Sequence, residues 1–161
     1  EMLLVGDAAT NPEGARAKLD RALHDGSAAA VFERMIEAQG GDPSVVGDTS
    51  RLPAAPVIID VASEGGGFVA DIDPLEIGLT AVALGAGRTR ADQAVDPAVG
   101  IEILRSPGDP VAPGEPIARL HLRKPEDAAP VAKRVLGAFT IAAAPPPARP
   151  LVLKRIGPAY A

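Results

Sequence analysis

Gly108-Asp109-Pro110-Val111-Ala112-Pro113-Gly114-Glu115-Pro116-Ile117 decides the fold of this 161-residue chain. Its form is Gly-Asp-x-Val-x-x-Gly-x-x-Ile, in which two glycine-bearing turns flank a single apolar Val111. Glycine tolerates the backbone conformations of tight turns, and Asp and Pro favour turns for their own reasons. A chain that turns twice around one inward residue crosses a corner of a small barrel before entering a longer strand. That longer strand is Ile117 to Leu122, where Ile117, Arg119 and His121 alternate with Ala118, Leu120 and Leu122. Upstream, Ile101 to Arg105 reads as another strand, joined to the corner by the turn Ser106-Pro107-Gly108-Asp109.

The same two-residue period appears further upstream at Val57 to Ala62 and Phe68 to Ile72, so these read as strands joined by a hairpin turn at Glu64-Gly65-Gly66-Gly67. Asp73-Pro74-Leu75-Glu76 is a helix start, since Asp accepts from free backbone N–H groups and Pro suits the first position. That helix is expected to turn Leu75, Leu79, Val82 and Ala83 inward and to end at Gly85-Ala86-Gly87. A polar loop follows, Arg88 to Ala98. Beyond the corner, Pro125-Glu126-Asp127 opens a helix reaching about Phe139, with Pro130 in or near its first turn. A short strand at Thr140-Ile141, a Pro-rich connection and a last strand over Leu151 to Ile156 complete the chain. Strands mixed with two helices make this half α+β.

Residues 1 to 40 follow a helical period instead. Thr10-Asn11-Pro12-Glu13 offers a cap and, through Glu13, a capping box, before a helix with Ala15, Leu19, Ala22 and Leu23 on one face. Gly26 stops it, Ser27 caps the next helix, and Val31, Phe32, Met35 and Ile36 form that helix's apolar stripe up to Gly40-Gly41. Glu1-Met2-Leu3-Leu4-Val5 reads as the end of a helix already under way, so the chain is expected to be a fragment whose helices pack on something upstream. From Asp42 to Ala55 the composition shifts to Gly, Asp, Ser and Pro, the signature of a linker.

Composition narrows the function classes. The chain is 47% hydrophobic with only three Phe and one Tyr, and Gly and Pro, 17 of each, stay below low-complexity levels. A net charge of −5, with its cations scattered, provides no basic stripe for a phosphate backbone and few rings to stack bases, so no nucleic-acid partner is expected. No apolar run suits a membrane span, and no membrane partner is expected. The absence of Cys removes disulfides and thiolate ligands and fits a cytoplasmic protein, and two His make a His-rich metal site implausible, so no metal is expected. His24 near a helix end reads as an ordinary solvated residue and His121 as a partly exposed strand residue, and no catalytic residue is specified.

Two motifs invite sharper readings. Gly85-Ala86-Gly87-Arg88 is glycine-rich, yet it follows a helix, so its N–H groups are not at a helix start and no cofactor-binding residue is assigned there. The loop Gly85, Gly87, Arg88, Arg90 and Asp92 reads as surface, or, more sharply, as a flap facing a neighbouring cleft. The corner around Val111 resembles the turn of lipoyl and biotinyl carrier domains, which have a barrel-sandwich hammerhead fold. A carrier needs a modified lysine at a hairpin tip; Lys124, the first lysine after Lys18, precedes a helix-starting Pro and lacks a carrier tip's flanking residues. A stand-alone hammerhead module that carries a group or docks a partner is therefore the alternative reading.

The order of the pieces resembles the C-terminal end of the thymidine phosphorylase and pyrimidine-nucleoside phosphorylase family. The likeness rests on Glu1-Met2-Leu3-Leu4, Ala38-Gln39-Gly40-Gly41-Asp42, Gly67 to Asp73, Ile77-Gly78, Leu84 to Arg88, Asp96 to Ile101, Gly108-Asp109, and Gly114 to Ala118 with His121. The resemblance implies an α+β chain: a helical segment followed by a mixed-sheet α/β hammerhead, barrel-sandwich-like subdomain. Residues 1–41 would be terminal helices of an upstream α/β domain, 42–56 a linker and 57–161 the hammerhead domain. It further implies a homodimeric pentosyltransferase that splits thymidine and related pyrimidine nucleosides with phosphate as co-substrate. The family's phosphate loop and base-gripping residues match nothing here, so the chemistry is assigned to a missing N-terminal catalytic portion and the chain to a structural, inactive part.

Overall fold

The computed structural model describes residues 1–150, 152–154 and 156, and they separate into two compact units, one of residues 1–52 with the described residues after 150, the other of residues 53–150. The first unit is helical. It holds α1 (Met2–Val5), α2 (Pro12–His24) and α3 (Ser27–Ala38), followed by single 3-10 turns at Pro43–Val46 and Thr49–Arg51.

Local chemistry sets the ends of these helices, with two corrections to the expected caps. Asn11, rather than Thr10, caps α2: its Oδ1 accepts from the Gly14 N–H at 2.8 Å, which leaves Glu13 one residue too early to complete a capping box. Gly26, rather than Ser27, is the N-cap of α3, at a left-handed φ of 79°, and Asp25 just before it accepts at Oδ1 from the Ser27 N–H at 2.9 Å. The far end of α3 closes in a Schellman arrangement. Gly41 N–H donates to Ile36 O and Gly40 N–H to Glu37 O, both at 2.9 Å, with Gly40 at φ 79°. The Gly/Asp/Ser/Pro segment is likewise ordered by side chains, since Asp42 and Asp48 each accept from the backbone N–H and hydroxyl of the serine two residues on.

The second unit, Pro53–Pro150, contains β1 (Val57–Ala62), β2 (Gly67–Ile72), α4 (Pro74–Ala81), β3 (Gly100–Ile103), β4 (Pro110–Val111), β5 (Pro116–Leu122), α5 (Ala128–Ala138) and β6 (Phe139–Ala142). They build two three-stranded sheets, β1-β5-β3 and β4-β2-β6. Every pairing among the described residues is antiparallel, so the expected mixed sheet is replaced by two antiparallel ones. The expected hairpin between β1 and β2 does not form. β1 pairs with β5 from Val57↔Leu122 to Val61↔Ala118, while β2 pairs with β4 and β6, so Glu64-Gly65-Gly66 carries the chain from one sheet to the other. The strand expected over residues 151–156 lies partly outside the described residues; Val152, Leu153, Lys154 and Ile156 within it are exposed and have no regular structure.

One hydrophobic cluster joins both sheets to α5: Val61, Val69, Val111, Ile117, Ala118, Leu120, Leu122 and Val135. Helix α4 presents a different face from the expected one. Asp73 caps it as read, accepting from Leu75 and Glu76 N–H at 2.9 and 3.1 Å. Ile77 and Leu84 pack against the core and Thr80 is buried, whereas Leu75 and Leu79 are exposed at 68% and 51% and Ala83 is exposed too. Within the regular pitch of Pro74–Ala81 the inward face is the one carrying Ile77 and Thr80, opposite to Leu75 and Leu79, and the wider turn over Val82–Ala86 breaks the 3.6 period before Ala83.

Candidate functional site

The glycines after α4 shape the loop that the sequence singles out. Gly85 adopts φ 105° inside the wide turn, a conformation that side chains rarely take, and its carbonyl accepts from Asp96 N–H at 2.9 Å. Gly87 is extended, and a Cβ there would lie 2.7 Å from Val82 Cγ2. The chain therefore leaves and re-enters the body at a narrow neck between Gly85 and Asp96. Outside the neck, Gln93 Oε1 accepts from Thr89 N–H at 3.0 Å and Thr89 Oγ1 at 2.8 Å. Arg90 Nε and Nη2 donate to the two oxygens of Asp92 at 3.1 and 2.9 Å, an ion pair well exposed to solvent. Arg88 is exposed and has no carboxylate partner among the described residues. Of the residues picked from sequence, the two Gly shape the neck, Arg90 and Asp92 pair with each other, and Arg88 stands apart.

What the sequence reading missed is the anchor. Asp96 accepts from Ala98 N–H at 3.0 Å and from Arg123 Nε and Nη2 at 2.6 and 2.7 Å. The Arg123 hydrogen bonds, with the Ala98 N–H second, bring the Asp96 carboxyl down to about 2. The spacing of 27 residues between the partners leaves no local signal; the pairing exists because Arg123 directly follows β5.

A second charged group lies along sheet β1-β5-β3. Asp60, Arg119 and Glu102 stand abreast in one register row. Arg119 Nε donates to Asp60 Oδ1 at 2.7 Å, and its Nη1 lies 3.8 Å from Glu102 Oε2. The Arg119 hydrogen bond holds the Asp60 carboxyl below its ordinary range. His121, half-buried as expected of a strand residue, has Nε2 at 3.7 Å from the same Glu102 oxygen. Gly100, opposite His121, leaves a shallow recess between Pro53, Pro97, Glu102 and His121.

The corner around Val111 has the geometry its sequence requires. Gly108 and Gly114 have φ of 101° and 82°, and Val111 between them is 5% exposed. Glu115 braces the second turn, accepting from Ala112 N–H at 2.9 Å and pairing with Arg105, which lowers its carboxyl from the ordinary range. Lys124 follows β5 and precedes a 3-10 turn at Pro125–Asp127, away from any hairpin tip. Among the described residues no group of three or more His, Asp or Glu is placed to hold a metal ion, and no helix is long and apolar enough to cross a membrane.

The sheet switch, the glycine-necked loop and the double turn around Val111 all lie within or next to residues 68–142, which match the family model of the pyrimidine nucleoside phosphorylase C-terminal domain. Among curated relatives, the pyrimidine-nucleoside phosphorylase of Geobacillus stearothermophilus is 35% identical over 155 residues, 96% of this chain and 36% of the relative. The thymidine phosphorylase of Mesorhizobium japonicum is 38% identical over 154 residues, 95% of this chain and 35% of the relative. The pyrimidine-nucleoside phosphorylase of Bacillus subtilis is 39% identical over 124 residues, 77% of this chain and 29% of the relative. The chain thus spans about a third of the length of the curated relatives it matches. The C-terminal domain match covers the wide turn, the Gly85–Asp96 loop, Arg123 and all of sheet β4-β2-β6 except Gly67 at the start of β2.

Proposed function

We propose that this chain is the C-terminal portion of a cytoplasmic, homodimeric thymidine or pyrimidine-nucleoside phosphorylase and serves it as a structural, non-catalytic part. In the reaction, a phosphate oxygen forms a bond to the anomeric carbon as the bond from that carbon to the base breaks. The base leaves with the electron pair and takes up a proton, and the sugar 1-phosphate remains. That chemistry needs an anion cradle for phosphate and donors for the leaving pyrimidine, and this reading places both in an N-terminal catalytic portion. The carrying observation is that 95–96% of the chain aligns with about a third of enzymes named phosphorylases.

Residues 1–41 are read as terminal helices of the upstream α/β domain, 42–56 as the connection, and 57–161 as the hammerhead domain. The two antiparallel sheets sharing one core, with a double turn around Val111, support the barrel-sandwich reading. The loop of Gly85, Gly87, Arg88, Arg90 and Asp92 is read as facing the interdomain cleft, supported by its glycine neck and the unpaired Arg88.

The test is phosphate-dependent release of thymine from thymidine, followed by chromatography. The isolated 161-residue chain is expected to release none, and a longer polypeptide encoded in the same frame is expected to turn over. Turnover by the isolated chain would refute the non-catalytic role; an inactive longer polypeptide would refute the phosphorylase reading.

A further inference from the structure

Asp96 does three things at the neck of the Gly85–Asp96 loop. Its N–H closes the neck on Gly85 O at 2.9 Å, its Oδ1 accepts from Ala98 N–H at 3.0 Å, and its two oxygens meet Arg123 at 2.6 and 2.7 Å. Its side chain is 27% exposed, against 70% for Asp92 at the tip. Arg123 directly follows β5, the central strand of its sheet, where Leu120 and Leu122 are fully buried. A planar guanidinium meeting a carboxylate at two points fixes orientation as well as distance. The neck is thereby tied to the best-packed strand of the unit, while the tip is folded on itself by the Thr89–Gln93 and Arg90–Asp92 contacts. Those contacts leave Arg88, one residue beyond Gly87, as the loop's guanidinium without a carboxylate partner.

We propose that Asp96 and Arg123 are positioning residues of the phosphorylase: their two-point pair locks the loop neck and so holds Arg88 at a fixed place on the cleft side. The inference rests on the reading that this loop faces the cleft. It adds to that reading the pair that makes the loop a rigid presenter of one cation rather than a loose surface segment. On this reading neither residue touches substrate; each acts through Arg88, and a misplacement of about 1 Å caused away from the reacting atoms can cost roughly a hundredfold in rate.

Hydrogen exchange of the 161-residue chain, followed by mass spectrometry, tests the brace. In Asp96→Asn and Arg123→Gln, amides of residues 86–95 should exchange about tenfold faster, because local opening of the loop becomes easier while the strands keep their protection. Arg123→Lys should restore part of the protection. Unchanged loop exchange, or an equal rise in β5, would overturn the proposal. In the longer enzyme, Asp96→Asn should lower kcat/KM by about tenfold, and adding Arg88→Ala should cost little more, since coupled residues are not additive. Full additivity, or unchanged kinetics beside accelerated loop exchange, would also overturn it. If the wild-type longer polypeptide is itself inactive, the phosphorylase reading fails while the exchange experiment still decides the brace.

Discussion

Gly67 shows how much one residue can determine. It opens β2 just after the sheet switch, at φ 147°, and a Cβ there would sit 2.3 Å from Ala142 O across the β2–β6 pair. Gly67→Ala must therefore push two paired strands apart as well as strain its own backbone. We expect a loss of more than about 1 kcal/mol, read as a lower denaturation midpoint at unchanged slope. Gly65, with open space around its Cβ position and no left-handed φ, should tolerate the same change. Asp96 makes a second residue-scale prediction through pH. Its carboxyl lies at about 2 in the folded chain against 3.8 ordinarily, because the ionised form is held by Arg123 and by Ala98 N–H. A lowered folded value means that the stabilisation is fully present above the ordinary value and is lost as pH falls through the folded one. Protection of the 86–95 amides, corrected for the pH dependence of intrinsic exchange, should hold down to about pH 4 and decline toward pH 2. In Asp96→Asn this step should vanish.

At the scale of elements, the strands of the second unit were legible where burial alternates and obscure where partners are distant. Val57–Ala62 and the strand around Ile117–Leu122 follow from period-two patterning, and Val111 between its two turns follows from glycine placement. Their pairing does not: β1 joins β5 some sixty residues on, and a run of glycines after β1 looks the same whether it reverses a hairpin or changes sheets. Of the candidate loop, the glycine neck was readable, while the Asp96–Arg123 anchor was not, because nothing in either local sequence points to the other. Helix α4 was placed correctly and faced wrongly. That correction can be checked: Ile77→Ala should cost about 2 kcal/mol or more, as for deletions into a packed core, whereas Leu79→Ala should stay within about 0.5 kcal/mol. In the central strand, Leu120→Ala removes a fully buried side chain and should cost about 2 to 5 kcal/mol.

Across the whole molecule the two units are built to different standards. The second has an eight-residue buried cluster, whereas the hydrophobic side chains buried in residues 1–52 are Leu4 and Ala15 among those described. Helix α3 buries none, and its Val31, Phe32 and Met35 are 48–55% exposed along one stripe. Short helices draw most of their stability from packing an apolar face, not from propensity, and the Asn11 cap, the Asp25 contact to Ser27 N–H and the Gly40-Gly41 terminus cannot replace a core. The chain on its own should accordingly fail the two-state test. Amides of α2 and α3 should exchange with little protection while those of β5 exchange only on unfolding of the second unit, and helix loss followed by far-UV circular dichroism should precede loss of that unit. The exposed stripe should also make the isolated chain self-associate at high concentration. Phe32→Ser with Met35→Lys should reduce that association, measured by sedimentation, without moving the second unit's denaturation midpoint. A single cooperative transition with uniform protection of α3 and β5 would show instead that the helices share the stability of the sheets, and the stripe would then have to be buried in solution.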